Sequence, residues 1–202
     1  MTSGQPAGRS GSIERSTLET RIVVDLNLDG GEARVATGVL FLDHMLDALS
    51  RHGRIGLAVT ATGDAVMDPH HTVEDTGIVI GLALKKALGD RAGIARYGHA
   101  YAPLDDSLAR VVVDCSGRPY LQYVATMPEA MIGAAFASSL VEEFWRGLAM
   151  NAGLTMHIDL IRSRNAHHAA EAIFKAAALA VYQATRRTGD PTRVPSTKGV
   201  LA

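Results

Sequence analysis

The apolar positions along the chain follow two patterns, which predict strands and helices in a recurring order. Short runs of β-branched and apolar residues predict strands. Elsewhere apolar residues recur every four positions, as at Phe41, Met45 and Leu49, and predict amphipathic helices. The predicted strands are 20–28, 32–37, 55–62, 109–115, 118–124 and 154–161, and the predicted helices are 39–52, 74–88, 133–151 and 167–187.

A turn signal separates the first two predicted strands. Asp29, Gly30 and Gly31 are residue types that favour the backbone of a tight turn. They predict a hairpin in which residues 32–37 form the return strand.

The sequence repeats itself. A His-His-x-x-Glu motif occurs at 70–74 and again at 167–171, and an Arg-x-Val-Val-Asp motif at 21–25 returns at 110–114. Two matches in the same order indicate an internal duplication. Each half runs strands, helix, strand, helix, so the predicted fold class is α+β, with sheets packed on a helical layer and a pseudo-twofold relation between the halves. The predicted divisions are a flexible leader 1–12, half-repeats 13–95 and 96–187, and a C-terminal tail 188–202.

Composition narrows the class of protein. Hydrophobic residues make up 47% and charged residues 20%, which supports a packed core. A net charge of -1 gives no reason to expect nucleic acid or an anionic membrane as a partner, and no apolar run is long enough to predict a membrane span. The lone Cys115 excludes a disulfide within the chain, and residues 1–12 lack the apolar centre of a signal peptide. A reducing, cytoplasmic location is therefore expected.

The His-His-x-x-Glu motifs point to metal chemistry. On a helix, residues three and four apart share a face, whereas two adjacent histidines diverge by about 100°. Adjacent histidines therefore make most sense if each serves a different ion. Imidazole and carboxylate ligands without thiolate favour Mn²⁺ over structural zinc. A single motif could also be an exposed or capping histidine pair, and His44, within an apolar helix, could be a core or interface histidine; the duplication favours ligands.

The same stretches resemble the imidazoleglycerol-phosphate dehydratase family of histidine biosynthesis. The matching segments span most of residues 13–200 and are 41–47, 70–76, 114–120, 164–171 and the Pro-Ser-Thr-Lys-Gly tail 195–199. The resemblance implies a fold like domain 2 of ribosomal protein S5, two Mn²⁺ ions per site, and a homo-oligomer of 24 subunits built from trimers, with active sites between subunits. It also implies the metal ligands His44, His70, His71, Glu74, His167, His168 and Glu171. Many members carry a histidine where this chain has Glu143, and we expect Glu143 to act as a ligand in its place.

The implied reaction is loss of water from D-erythro-imidazole-glycerol phosphate, giving imidazole-acetol phosphate. The carbon that loses its proton is not next to a carbonyl, so ions that bind the ring nitrogens must supply the charge stabilisation. The expected acid/base residue is Glu19, with Glu171 sharing the role and Asp105 a weaker candidate. The expected substrate-binding residues are Glu19, His44, His52, His70, Glu74, Arg96, Arg118, His167, Lys175, Ser196 and Lys198.

Two other functions fit part of the pattern. A dinuclear metallohydrolase such as a phosphatase would be dominated by aspartate and glutamate ligands, and the excess of histidine counts against it. A non-catalytic assembly held together by metal would bind ions but would have no affinity for a phosphorylated imidazole.

Overall fold

A computed structural model describes residues 8–63, 68–199 and 201, and within them two halves follow the same order of elements. The first half contains β1 (Ser10–Ser16), β2 (Thr20–Asn27), β3 (Ala33–Ala36), α1 (Leu40–Gly53), β4 (Gly56–Gly63) and α2 (His70–Leu88). The second half contains β5 (Tyr97–Leu104), β6 (Ser107–Asp114), β7 (Tyr120–Val124), α3 (Leu140–Ala152), β10 (Thr155–Arg162) and α4 (Ala166–Thr185). A short hairpin, β8 (Met131–Ile132) and β9 (Phe136–Ala137), is inserted before α3.

The two sheets share one topology. Their strand orders are β1-β2-β4-β3 and β5-β6-β10-β7. Each sheet has one parallel pair, β3 with β4 and β7 with β10, and its other pairs are antiparallel. The predicted α+β fold of duplicated halves is therefore confirmed.

The helices form a layer between the sheets. Alternate residues of β2, such as Ile22, Val24 and Leu26, point inwards and are buried. The helix α2 packs on β1, β2 and α3, while α4 packs on β5, β6 and α1. Trp145 and Phe174, whose ring centroids are 4.8 Å apart, fill the core. The last helix of each half therefore packs on a helix of the other half, α2 on α3 and α4 on α1.

Two glycines show how closely the duplication is kept. A side chain at Gly11 in β1 would collide with the backbone oxygen of Ala83 in α2, and one at Gly98 in β5 would collide with that of Ala180 in α4. Only glycine lets helix and strand approach this closely. The same close contact recurs at the same place in both halves.

The predicted hairpin around Asp29 is wrong. β3 pairs parallel with β4 and does not pair with β2. Both edges of β2 are already occupied, by β1 and β4, so the next strand can only join the free edge of β4. The helix α1 provides the crossover that a parallel pair requires.

Several predicted boundaries also need correction. The leader was predicted to reach residue 12, but β1 begins at Ser10; residues 1–7 lie outside the described residues. Arg9 pairs with Asp29 at 2.7 Å, which fixes the start of β1. Neither β1 nor β5 was predicted, and α3 begins at Leu140 because the preceding residues form the β8–β9 hairpin. Of the described helices, none is both long and apolar enough to span a membrane.

Candidate active site

The two His-His-x-x-Glu motifs lie at the first turns of α2 and α4. In α4, the side chain of Asn165 caps the helix by accepting a hydrogen bond from the His168 backbone N–H at 3.1 Å. The neighbouring rings of His167 and His168 are 6.1 Å apart and nearly perpendicular, at 85°. The rings of His70 and His71 are arranged in the same way, at 5.9 Å and 80°. Adjacent histidines therefore face different directions.

One group of side chains is close enough to hold a metal ion. His44 of α1 and His167 of α4 each place Nε2 near the same oxygen of Glu171, at 3.3 and 3.4 Å. Their donor atoms all lie within 4.8 Å of one another, and no other such group occurs among the described residues. Atoms bound about 2.1 Å from one ion lie about 3 to 4 Å apart, so the group fits a divalent cation.

Lys175 shapes the carboxylate of this group. Its Nζ lies 2.7 Å from Oε1 of Glu171, which leaves Oε2 facing the two histidines. Burial acts to raise the pKa of Glu171, but Lys175 and then His44 outweigh it, so the pKa is lowered and the group stays anionic. Burial, and then the charge of Lys175, also lower the pKa of His52, which keeps that ring neutral near the group.

The first copy of the motif, at residues 70–74, has its donor atoms further apart and its glutamate more exposed than the second copy. His70 Nε2 lies 3.7 Å from Oε2 of Glu74, and both side chains are 42% exposed. Glu143 of α3, expected to complete this copy, lies 4.0 Å from Arg146 on its own helix. Among the described residues, Glu143 does not join His70 and Glu74 in a donor group; its side chain lies beside Arg146, one turn further along α3.

The second histidine of each motif faces a carboxylate on a nearby turn. His71 Nδ1 lies 3.7 Å from Glu19, which precedes β2, and His168 Nδ1 lies 2.6 Å from Asp106, which precedes β6. Hydrogen bonds from His168 and then from the backbone of Arg164 lower the pKa of Asp106 to about 2. The Asp106 hydrogen bond in turn raises the pKa of His168. Sequence reasoning missed Asp106, because a turn aspartate gives no separate signal.

Buried contacts fix the turn that carries Glu19. Asp75 of α2, which is largely buried, accepts a hydrogen bond from Thr20 Oγ1 at 2.5 Å and pairs with Arg15 at 2.6 Å. These contacts hold the β1–β2 turn against the start of α2. Glu19, whose side chain is 56% exposed, is thereby placed beside His71.

A second candidate site is a cationic groove formed by residues before and at the start of β5, the loop after β6 and the C-terminal tail. Its volume is about 960 Å³, and its polar lining includes the predicted residues Arg96, Arg118, Ser196 and Lys198 and also Arg193, which sequence reasoning missed. Arg96 donates to Asp114 at 2.7 and 3.1 Å and to the carbonyl of Pro195 at 2.7 Å, so it anchors the tail as well as lining the groove. Arg118 and Lys198 are exposed.

The groove and the histidines lie at opposite ends of α4. The Arg96 backbone N–H donates to the Ala184 carbonyl at the C-terminal end of that helix, whereas His167 lies in its first turn. Twenty residues of helix span about 30 Å. Likewise Arg9, at the start of β1, contacts the carbonyl of Thr185, while Glu19 lies beyond the far end of β1. One chain therefore does not bring its cationic groove and its histidines together.

Comparisons with known proteins agree with this arrangement. The family profile described as Imidazoleglycerol-phosphate dehydratase matches residues 37–181. The protein of that name from Thiobacillus denitrificans is 56% identical over 197 residues, covering 96% of this chain and 100% of the relative. The one from Alkalilimnicola ehrlichii is 53% identical over 197 residues, covering 96% of this chain and 98% of the relative.

Two solved structures share the fold. A crystal structure of imidazoleglycerol-phosphate dehydratase from Staphylococcus aureus has a TM-score of 0.81 and 42% identity, covering 89% of this chain and 99% of that one. The enzyme from Pyrococcus furiosus, solved in complex with (S)-C348, has a TM-score of 0.82 and 40% identity, covering 94% of this chain and 100% of that one. The family resemblance of the sequence is thus confirmed, and the chain belongs to the imidazoleglycerol-phosphate dehydratase family.

Proposed function

We propose that this chain is a hydro-lyase of histidine biosynthesis that converts D-erythro-imidazole-glycerol phosphate to imidazole-acetol phosphate and depends on two Mn²⁺ ions. Family membership supports the reaction. The observation that carries metal dependence is the group formed by His44, His167 and Glu171, whose donor atoms lie within 4.8 Å of one another. Two imidazoles and a carboxylate without sulfur suit Mn²⁺.

The chain supplies two incomplete sets of ligands. His44, His167 and Glu171 form one set. The residues at the equivalent positions, His70, Glu74 and Glu143, are the ligands that we propose for the second set. Each set provides three donors, fewer than an octahedral ion requires. The rings of His71 and His168 point in different directions from those of His70 and His167, and we expect each to bind an ion in a site that other copies of the chain complete. When bound, the ions stabilise negative charge on the imidazole ring of the substrate.

Protein groups handle the remaining chemistry. Glu19 is exposed beside His71, so its carboxylate can reach a proton on a substrate held there. Lys175 holds one oxygen of Glu171 and leaves the other free, so Glu171 serves as a ligand before it serves as a base. Arg118, Arg193 and Lys198 can bind a phosphate, with Arg96 and Ser196 fixing the loop and tail around it.

The separation within one chain supports active sites shared between subunits. The substrate is much shorter than α4, yet the groove and the histidines lie at opposite ends of that helix. The outer face of the second sheet also exposes large apolar side chains, which are typical of an interface. They are Tyr97, Tyr101, Val112, Tyr120 and Val124. The proposed assembly is the family's 24-subunit particle built from trimers, and a cytoplasmic location stays a prediction.

A metal analysis coupled to an activity assay tests this function. Purified protein should bind two Mn²⁺ per chain and form imidazole-acetol phosphate. Chelation should abolish the reaction, and Mn²⁺ should restore it. His167→Gln should lose metal, while His99→Gln, which alters an exposed histidine on β5, should keep it. Metal binding without any dehydration would favour the metal-held scaffold, and hydrolysis of a phosphate ester would favour the metallohydrolase.

A further inference from the structure

Asp106 has both carboxylate oxygens engaged. Its Oδ1 lies 2.6 Å from Nδ1 of His168, and its Oδ2 accepts a hydrogen bond from the backbone N–H of Arg164, also at 2.6 Å. An ionised carboxylate can only accept hydrogen bonds. Nδ1 of His168 must therefore carry a proton, whether the ring is neutral or cationic.

The other ring nitrogen is left for a ligand. Nε2 of His168 lies 3.9 Å from Asp105, which is beyond hydrogen-bond distance. A histidine that donates from one ring nitrogen to a carboxylate presents the lone pair of the other nitrogen in a fixed direction. We propose that Asp106 is a positioning residue that keeps the proton of His168 on Nδ1 and so reserves Nε2 for a divalent metal ion. This inference rests on the metal-dependent function proposed above.

The equivalent residue of the first half does not have this role. Glu19 precedes β2 as Asp106 precedes β6, but its oxygen lies 3.7 Å from Nδ1 of His71, too far for a hydrogen bond. Its side chain is 56% exposed, against 22% for Asp106. The duplicated turn therefore provides a fixed partner for a ligand in one half and an accessible carboxylate in the other.

Asparagine at position 106 distinguishes this role from a simple loss of charge. The Arg164 N–H still needs an acceptor, so the amide oxygen should turn towards it. The amide NH₂ then faces Nδ1 of His168 and can only donate. This arrangement moves the ring proton to Nε2, the nitrogen that the metal needs.

Mn²⁺ titration of the full-length protein, followed by the electron paramagnetic resonance signal of free Mn²⁺, measures the effect. Asp106→Asn should weaken one of the two ion sites by about 10- to 100-fold and leave the other near wild type. Asp105→Asn removes the same charge from the same turn and should change the Mn²⁺ affinity far less. Solid-state NMR locates the ring proton in metal-free protein that carries ¹³C-labelled histidine, at mildly alkaline pH. The His168 proton should be on Nδ1 in the wild type and on Nε2 in Asp106→Asn. The signal of His168 is identified by its loss in His168→Gln.

The outcomes separate the two proposals. Wild-type protein that binds no Mn²⁺ contradicts the metal-dependent function itself. Wild-type protein that binds two ions while Asp106→Asn binds them equally well contradicts only the role of Asp106. Equal weakening by Asp105→Asn and Asp106→Asn, with the His168 proton unmoved, shows that charge alone matters and also overturns the inference.

Discussion

The two halves of the molecule share a fold but differ in the chemistry at equivalent positions. The donor set around the second motif joins His167 and Glu171 of the second half to His44 of the first half, and Lys175 holds the oxygen of Glu171 that faces away from the histidines. In the equivalent set, around His70 and Glu74, Glu143 of α3 takes the position of His44, and Ile78 takes the position of Lys175. The duplication therefore preserved the positions of these side chains, while substitution left one group with its donor atoms close together and the other group more open.

The outer faces of the two sheets differ as well. The first sheet presents mainly polar residues, such as Glu14, Arg21 and Asp25. The second sheet presents tyrosines and valines, and its neighbouring loop and the tail form the cationic groove. A repeated fold therefore fixes where side chains stand, while the outer faces of its two sheets carry different chemistry.

The largest effect is expected at the histidines that face away from the donor sets. If His71 and His168 serve ions in equivalent ways, His71→Ala and His168→Ala should each reduce turnover to the background and lower the bound metal. Metal analysis and the dehydration assay check this. Normal turnover with full metal content in either variant would show that the halves are not equivalent in metal binding.

A substitution at Glu19 should affect the chemical step and leave metal binding unchanged. Glu19→Gln keeps the shape of the side chain and removes the base, so turnover should fall by roughly 100-fold or more while metal content is unchanged. Turnover and the dissociation constant of a substrate analogue should be measured together. If both parameters change modestly and in parallel, Glu19 only orients a hydroxyl, and Glu171 becomes the stronger candidate for the base.

Glu143 tests whether the open donor set binds an ion. Glu143→Ala should weaken one Mn²⁺ site by at least about tenfold, because the set loses one of its three donors. Glu142→Ala is the matched control, since Glu142 also pairs with Arg146 but has no histidine equivalent in the first half. Equilibrium dialysis measures both. Identical binding by the two variants would remove Glu143 from the ligand set.

The smallest effect is expected at the ion pair that an arginine at the start of each half forms with an aspartate. Arg9 pairs with Asp29 as Arg96 pairs with Asp114. The hydrogen bond from Arg9 lowers the pKa of Asp29, so the stabilisation is present above the ordinary value of 3.8 and is lost as pH falls through the lowered value. Because Asp29 is partly exposed, Asp29→Asn should cost under about 1 kcal/mol at neutral pH. Denaturant unfolding at neutral and acidic pH should show the cost disappear in acid.

Much of this could be predicted from the sequence, and the failures have physical causes. The helices and the duplicated motifs were predictable because their periodicity and spacing are local. β1 was missed because Ser10, Gly11 and Ser12 give no strand signal, and the need for glycine at position 11 comes from the close approach of α2. The parallel pairing of β3 was missed because it depends on which strand edge remains free, a property of the whole sheet. Asp106 and Arg193 were missed because only the folded chain shows what they face.

Mixing two inactive variants tests most directly whether active sites are shared between chains. Glu19→Gln lacks the proposed base but keeps the groove, and Arg118→Ala/Lys198→Ala lacks the groove cations but keeps the base. The two variants are dissociated by chelation, mixed in equal amounts and reassembled with Mn²⁺. If each active site takes its groove from one chain and its Glu19 from another, up to about a quarter of the sites then contain an intact groove beside an intact Glu19. Activity should then rise well above that of either variant alone, towards that fraction of wild type. Mixed assemblies, verified by mass, that show no such rise would contradict the account.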